Sequence, residues 1–80
     1  MPATSVEALV ERAELRRALG AQLRDARHSA GLTQVEAARR LGVPQSQIAK
    51  LEVGQRTLSF VEALDMAEAY GIHPADLDPR

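Results

Sequence analysis

The sequence predicts an all-α fold of five helices in one domain. Three observations carry that expectation. Apolar residues recur at spacings of three and four, and no segment alternates as a strand would. A serine or threonine stands three residues before a glutamate at Thr4–Glu7, Thr33–Glu36 and Ser59–Glu62, each pair opening such a segment. Glycines at 31, 42, 54 and 71 close the segments. The composition agrees: 45% of the 80 residues are hydrophobic, mostly Ala, Leu and Val, with one Phe, one Tyr and no Trp. That mixture suits helices better than strands. A chain of this length builds one small core.

The first helix is expected from the Thr4–Glu7 box to about Ala30, with Val6, Leu9, Val10, Ala13, Leu19 and Leu23 on its apolar face. Gly20 lies inside it, costs about 1 kcal/mol relative to alanine, and reads as a weak point. The second helix opens at Thr33 and ends at Leu41, where Gly42 suits a left-handed turn. Pro44 favours a first helical turn, so a third helix is expected from there to about Val53. The fourth opens at Ser59 and turns Phe60, Ala63, Leu64, Ala67 and Tyr70 inward. The fifth is a short turn from His73-Pro74 that holds Leu77 and is closed by Pro79.

Several function classes are disfavoured at once. With no Cys, disulfides and zinc–thiolate sites are excluded. His28 and His73 have no third ligand nearby, so no metal is expected. No apolar run is long enough to span a membrane, and MPATSVEALVER lacks the basic-then-apolar order of a signal peptide. The expectation is a cytoplasmic protein without a membrane role. Phosphate-loop and dinucleotide-binding glycine patterns are absent, as is any nucleophile-elbow setting. We therefore expect no enzyme and no cofactor.

Net charge is −1, but it is unevenly spread. Residues 1–56 hold nine Lys/Arg and six Asp/Glu, a net +3, and residues 57–80 hold one Arg and five acids, a net −4. A split of this kind can mark a side that faces a polyanion, or simply solvated helix faces.

The segment 34–53 is more specific. A helix of eight residues ends at Gly42, and about three residues later another begins. So tight a corner needs a small residue at the crossing, Ala38, and a residue free to take positive φ, Gly42. Val35, Leu41, Ile48 and Leu51 are expected to bury the inner faces, which makes the segment a helix-turn-helix. On the helical wheel of VPQSQIAKLE, Ile48 and Leu51 point inward and Ser46, Ala49, Lys50 and Val53 outward, with Gln45 and Gln47 flanking. In a DNA-reading helix-turn-helix the N-terminal residues of the second helix meet base edges. Glutamine can bond adenine in a bidentate way, and serine suits any base. Gln45, Ser46 and Gln47 are thus candidate base contacts, and Lys50, Arg56 and Gln34 candidate phosphate contacts. Arg39 and Arg40 read as solvated helix cations.

GLTQVEAARRLGVPQSQIAKLEVGQRTLSFVEALDMAEAYGI resembles the Xre/Cro-type (phage-repressor-like) helix-turn-helix family. The features in register are Gly31-Leu32-Thr33-Gln34, Ala38, Gly42-Val43, Gln45-Ser46, Ile48, the L-E-x-G of 51–54, and the Ala-x-Ala-Tyr-Gly-Ile close. The likeness spans roughly Leu23 to Leu77. It departs at Ala37, where the family has a larger aliphatic residue, at Pro44 in place of a Ser or Thr cap, at Val53 in place of Arg or Asn, and at Leu58 in place of Pro. The resemblance implies a compact five-helix lambda-repressor-like DNA-binding domain with an N-terminally extended first helix. It divides the chain into an extension, 1–22, and a helix-turn-helix domain, 23–80. It also points to a partly buried Arg27–Glu52 ion pair, since Glu52 falls near the inward side of its helix and a carboxylate there needs a partner.

The expected function is a sequence-specific transcriptional regulator, a repressor or controller that binds double-stranded operator DNA as a homodimer. One recognition helix touches few base pairs, so two half-sites about 34 Å apart supply the affinity. The dimer surface is either the Val6, Leu9, Val10, Ala13 stripe or the region around Phe60, Val61, Ile72 and Leu77. A second function stays open: an antitoxin that binds its own operator and also masks a toxin protein.

Overall fold

A computed structural model of the protein describes residues 5–78. It contains α1 (Val6–Ser29), α2 (Gln34–Leu41), α3 (Gln45–Glu52), α4 (Phe60–Tyr70) and one 3-10 turn, Pro74–Asp76. The expectation of five helices is corrected to four α-helices and that turn. Local chemistry gives the reason. His73 Nδ1 accepts from the Ala75 N–H and Asp76 caps the His73 N–H, which closes a single turn. Leu77 is already extended, at φ −84° and ψ 99°. Its side chain packs against the core, and three residues are too few to repay helix nucleation. Pro79, the expected closing residue, lies outside the described residues.

Each helix end has an identifiable cause. Thr4, expected to cap α1, lies outside the described residues, and the cap observed is Ser5, whose hydroxyl accepts from the Ala8 N–H at 3.1 Å. Thr33–Glu36 and Ser59–Glu62 form reciprocal capping boxes on α2 and α4. Gly42 ends α2 at φ 68°, a left-handed conformation that a side chain would disfavour. Pro44 precedes α3 without a side-chain cap.

α3 lies against both α1 and α2, and α4 closes over α2 and α1. Leu23, Leu32, Ala37, Ala38, Ile48, Leu51, Met66 and Tyr70 form the core. Three inward assignments are corrected. Val35 is exposed, because Ala37, Ala38 and Leu41 define the face that α2 turns to the core. On α4, Phe60 is 76% exposed and Leu64 is also exposed, while Met66 is buried. FVEALDMAEAY is apolar around much of its circumference, so spacing alone leaves two possible faces. Burial of Met66 with Ala67 and Tyr70 selects one, and the other remains open to solvent. The final described residues are tied back by Gln22, whose side-chain amide accepts from the Asp78 N–H at 2.7 Å and donates to the Asp78 carbonyl.

α1 is continuous through Gly20, as expected of one helix. Gly20 is buried, and a Cβ placed on it would lie 2.3 Å from the Leu51 carbonyl oxygen and 2.7 Å from that of Glu52. The glycine is where the α1 backbone touches the last turn of α3. Among the described residues, no helix is long and apolar enough to cross a membrane.

Candidate nucleic-acid interface

α3 turns Ile48, Leu51 and Glu52 into the protein. Gln45, Ser46, Lys50 and Val53 face outward, and Gln47 and Ala49 are half-buried. The short turn at Gly42 sets the start of α3 beside the start of α2. That arrangement brings Gln34 and Gln45 together: Gln45 Nε2 donates to Gln34 Oε1 at 3.3 Å. Gln34 in turn donates from Nε2 to Glu52 Oε1 at 3.2 Å.

Glu52 is anchored from the other side. Arg27 donates from Nε to Oε2 at 2.7 Å and from Nη2 to Oε1 at 2.9 Å, in a pair whose side chains are only 7% and 3% exposed. Arg27 Nη1 also donates to the Leu32 carbonyl at 2.9 Å. Its Nη2 lies 3.1 Å from His28 Nε2. The hydrogen bonds to Glu52 raise the Arg27 pKa, burial opposes the rise, and the charge of Glu52 adds to it. Nearby, burial and then the charge of Glu52 push the Tyr70 hydroxyl up to about 12. The Tyr70 hydroxyl is buried without a hydrogen-bond partner among the described residues.

Arg56 is not gathered into this cluster. Its guanidinium grips Glu62 through Nη1 to Oε1 at 3.1 Å and through Nη2 to Oε2, and Nη1 also reaches the Thr57 carbonyl at 3.2 Å. The Arg56 hydrogen bonds hold the Glu62 carboxyl near 2, at about 2 rather than the usual 4.5, with the Ser59 cap helping and burial opposing. A carboxyl whose pKa falls on folding stabilises the fold fully above its unfolded value and loses that contribution as pH drops through the folded value. A Glu62→Gln variant keeps an acceptor for the Ser59 N–H but loses the charge. It is expected to be about 1 kcal/mol less stable than the parent near neutrality, a modest figure because the pair is partly solvated. The gap should narrow between about pH 5 and 2. Urea titrations across that range check it, and a gap independent of pH would assign the loss to the cap instead.

Sequence reasoning missed the Arg56–Glu62 clasp and the Gln34–Gln45 contact. Both join residues across a loop or turn, at separations of six and eleven, where helical periodicity gives no signal. It also missed Arg16, whose Nε donates to the Gly54 carbonyl at 3.3 Å and ties α1 to the end of α3. Among the described residues no group of His, Asp or Glu is placed to hold a metal ion.

A helix-turn-helix domain family matches residues 18–79. Among solved structures, the restriction-modification controller protein C.AhdI from Aeromonas hydrophila is 35% identical, over 78% of this chain and 94% of its own, with a TM-score of 0.73. The clp gene regulator ClgR from Corynebacterium glutamicum is also 35% identical, over 79% of this chain and 81% of its own, with a TM-score of 0.75. No curated protein matches the chain at a significant level.

Proposed function

Because the chain belongs to the helix-turn-helix domain family, we propose that it is a transcriptional regulator that reads an operator in double-stranded DNA as a homodimer. The observation that carries this reading is the outer start of α3. Gln45 and Ser46 are exposed there and Gln47 half-exposed, on a helix whose inner side is fixed by Ile48, Leu51 and the Arg27–Glu52 pair. Neutral donors and acceptors at that position match base edges in the major groove. Gln34 keeps one N–H for a phosphate, and Lys50 is exposed and cationic. Arg56 reaches a phosphate only by exchanging it for Glu62. The two relatives named above are a controller protein and a gene regulator, which supports the same role for this chain.

The homodimer follows from energetics, since one short helix on a chain of net charge −1 gives little affinity by itself. Among the described residues, the start of α1 and the outer face of α4 are surfaces open to a second copy: Val6, Leu9, Val10, Phe60 and Val61 are all exposed. The same exposed residues keep the antitoxin reading as a second proposal, with a toxin protein in place of the second copy.

The test is selection of genomic duplex fragments by the parent and by a Gln45→Ala/Gln47→Ala variant, with binding measured at two salt concentrations. The parent is expected to select a two-fold-symmetric site and to lose affinity steeply with salt. The variant is expected to lose the preference and keep the salt slope. Absence of selection by the parent, even at low salt, would sink the regulator reading.

A further inference from the structure

The amide of Gln45 takes its direction from its neighbours. Arg27 engages both oxygens of Glu52, and an ionised carboxylate accepts hydrogen bonds but donates none. The end of Gln34 that meets Glu52 Oε1 at 3.2 Å is therefore its NH2. That places Gln34 Oε1 toward Gln45, so the end of Gln45 that meets it at 3.3 Å is again the NH2. Each amide inherits its direction from the carboxylate below it. Gln45 is left with a free carbonyl oxygen and one free N–H. Adenine presents a donor at N6 beside an acceptor at N7, which complements that pair. Guanine presents two acceptors, O6 and N7, and Gln45 has only one N–H left to offer them.

We propose that the buried Glu52 carboxylate is a specificity-determining positioning residue: through Gln34 it fixes the donor–acceptor direction of the Gln45 amide and sets adenine above guanine at the base pair Gln45 faces. The proposal rests on the reading of α3 as a base-reading helix. Glu52 is 5% exposed and buried among protein atoms, so it acts on the DNA only through the two glutamines. Its partner Arg27 comes from α1, so the direction is set by a contact between α1 and α3 rather than by the helix-turn-helix alone.

The experiment is binding selection from a pool of duplexes randomised at every base pair, with four proteins. Gln45→Ala marks the base pair that Gln45 faces, as the position whose preference it loses. Gln34→Met breaks the relay at a half-buried site with little change of shape. Glu52→Gln lets the end that meets Gln34 be an oxygen or an NH2, which releases or reverses the relay. The parent is expected to prefer adenine over guanine at the marked position by about tenfold. In Gln34→Met and Glu52→Gln that ratio should fall toward one while preferences elsewhere in the site persist. Loss of a phosphate contact, or a purely structural role for Glu52, would instead weaken all sequences alike. An unchanged ratio in Gln34→Met overturns the relay even if Glu52→Gln does not fold. A parent that shows no base preference anywhere overturns the base-reading helix and the relay with it.

Discussion

A Gly20→Ala variant is expected to be less stable than the parent by about 2–3 kcal/mol, with a lower urea midpoint and an unchanged slope. Helix propensity alone argues the reverse, a gain of about 1 kcal/mol from replacing a glycine inside α1. The decisive quantity is the distance: the new methyl would sit 2.3 Å from the Leu51 carbonyl oxygen and 2.7 Å from that of Glu52. Both obstacles are backbone, so no rotamer change relieves them, and α1 and α3 must move apart. That movement would open the packing around Ile48 and Leu51, two of the most buried side chains in the core. A variant as stable as the parent, or more so, would show that the two helices yield easily and that the contact is incidental.

The second large effect concerns Arg27. Arg27→Met is expected to cost about 3–5 kcal/mol, because it leaves the Glu52 carboxylate buried with no countercharge. It also removes the donor to the Leu32 carbonyl. For a domain of this size that is a large share of a total on the order of 4–12 kcal/mol. The paired variant Arg27→Met/Glu52→Leu should cost less than Arg27→Met alone, since no orphaned charge remains. Urea unfolding of the two single variants, the pair and the parent closes the cycle and yields the coupling directly. If the costs simply add, the two side chains act independently, and the hydrogen bonds at 2.7 and 2.9 Å contribute little.

What was legible in the sequence was local. The Thr33–Glu36 and Ser59–Glu62 boxes and the glycine stops involve residues within one turn of each other, and spacing displays such features directly. The helix-turn-helix was legible for the same reason: Ala38, Gly42 and Ile48 lie within a short stretch whose geometry leaves few choices. The outward placement of Ser46, Lys50 and Val53 followed from the wheel, whereas Ala49, expected outward with them, is half-buried. Contacts between distant residues were hidden. Gly20 meets Leu51 and Glu52 across two intervening turns and a helix, and nothing near Gly20 announces it. Phe60, expected inward, is exposed, and Met66, which spacing did not single out, is buried, because α4 carries more apolar residues than one face can bury. Arg56 looked like any exposed cation, and only the fold brings Glu62 to it.

Gly20 and Arg27 stand seven residues apart on α1, two turns along one face and about 10 Å from each other. Both grip the last turn of α3, one by backbone contact and one by charge. Gln34 holds the first turn from the side of α2. A helix mounted at both ends has little orientational freedom left to surrender on the operator proposed above. The entropy of ordering it is lost when the chain folds, so the proposed docking needs no ordering of α3. Its association rate is then governed by diffusion and by the fraction of encounters that arrive in register, with no internal rearrangement to wait for.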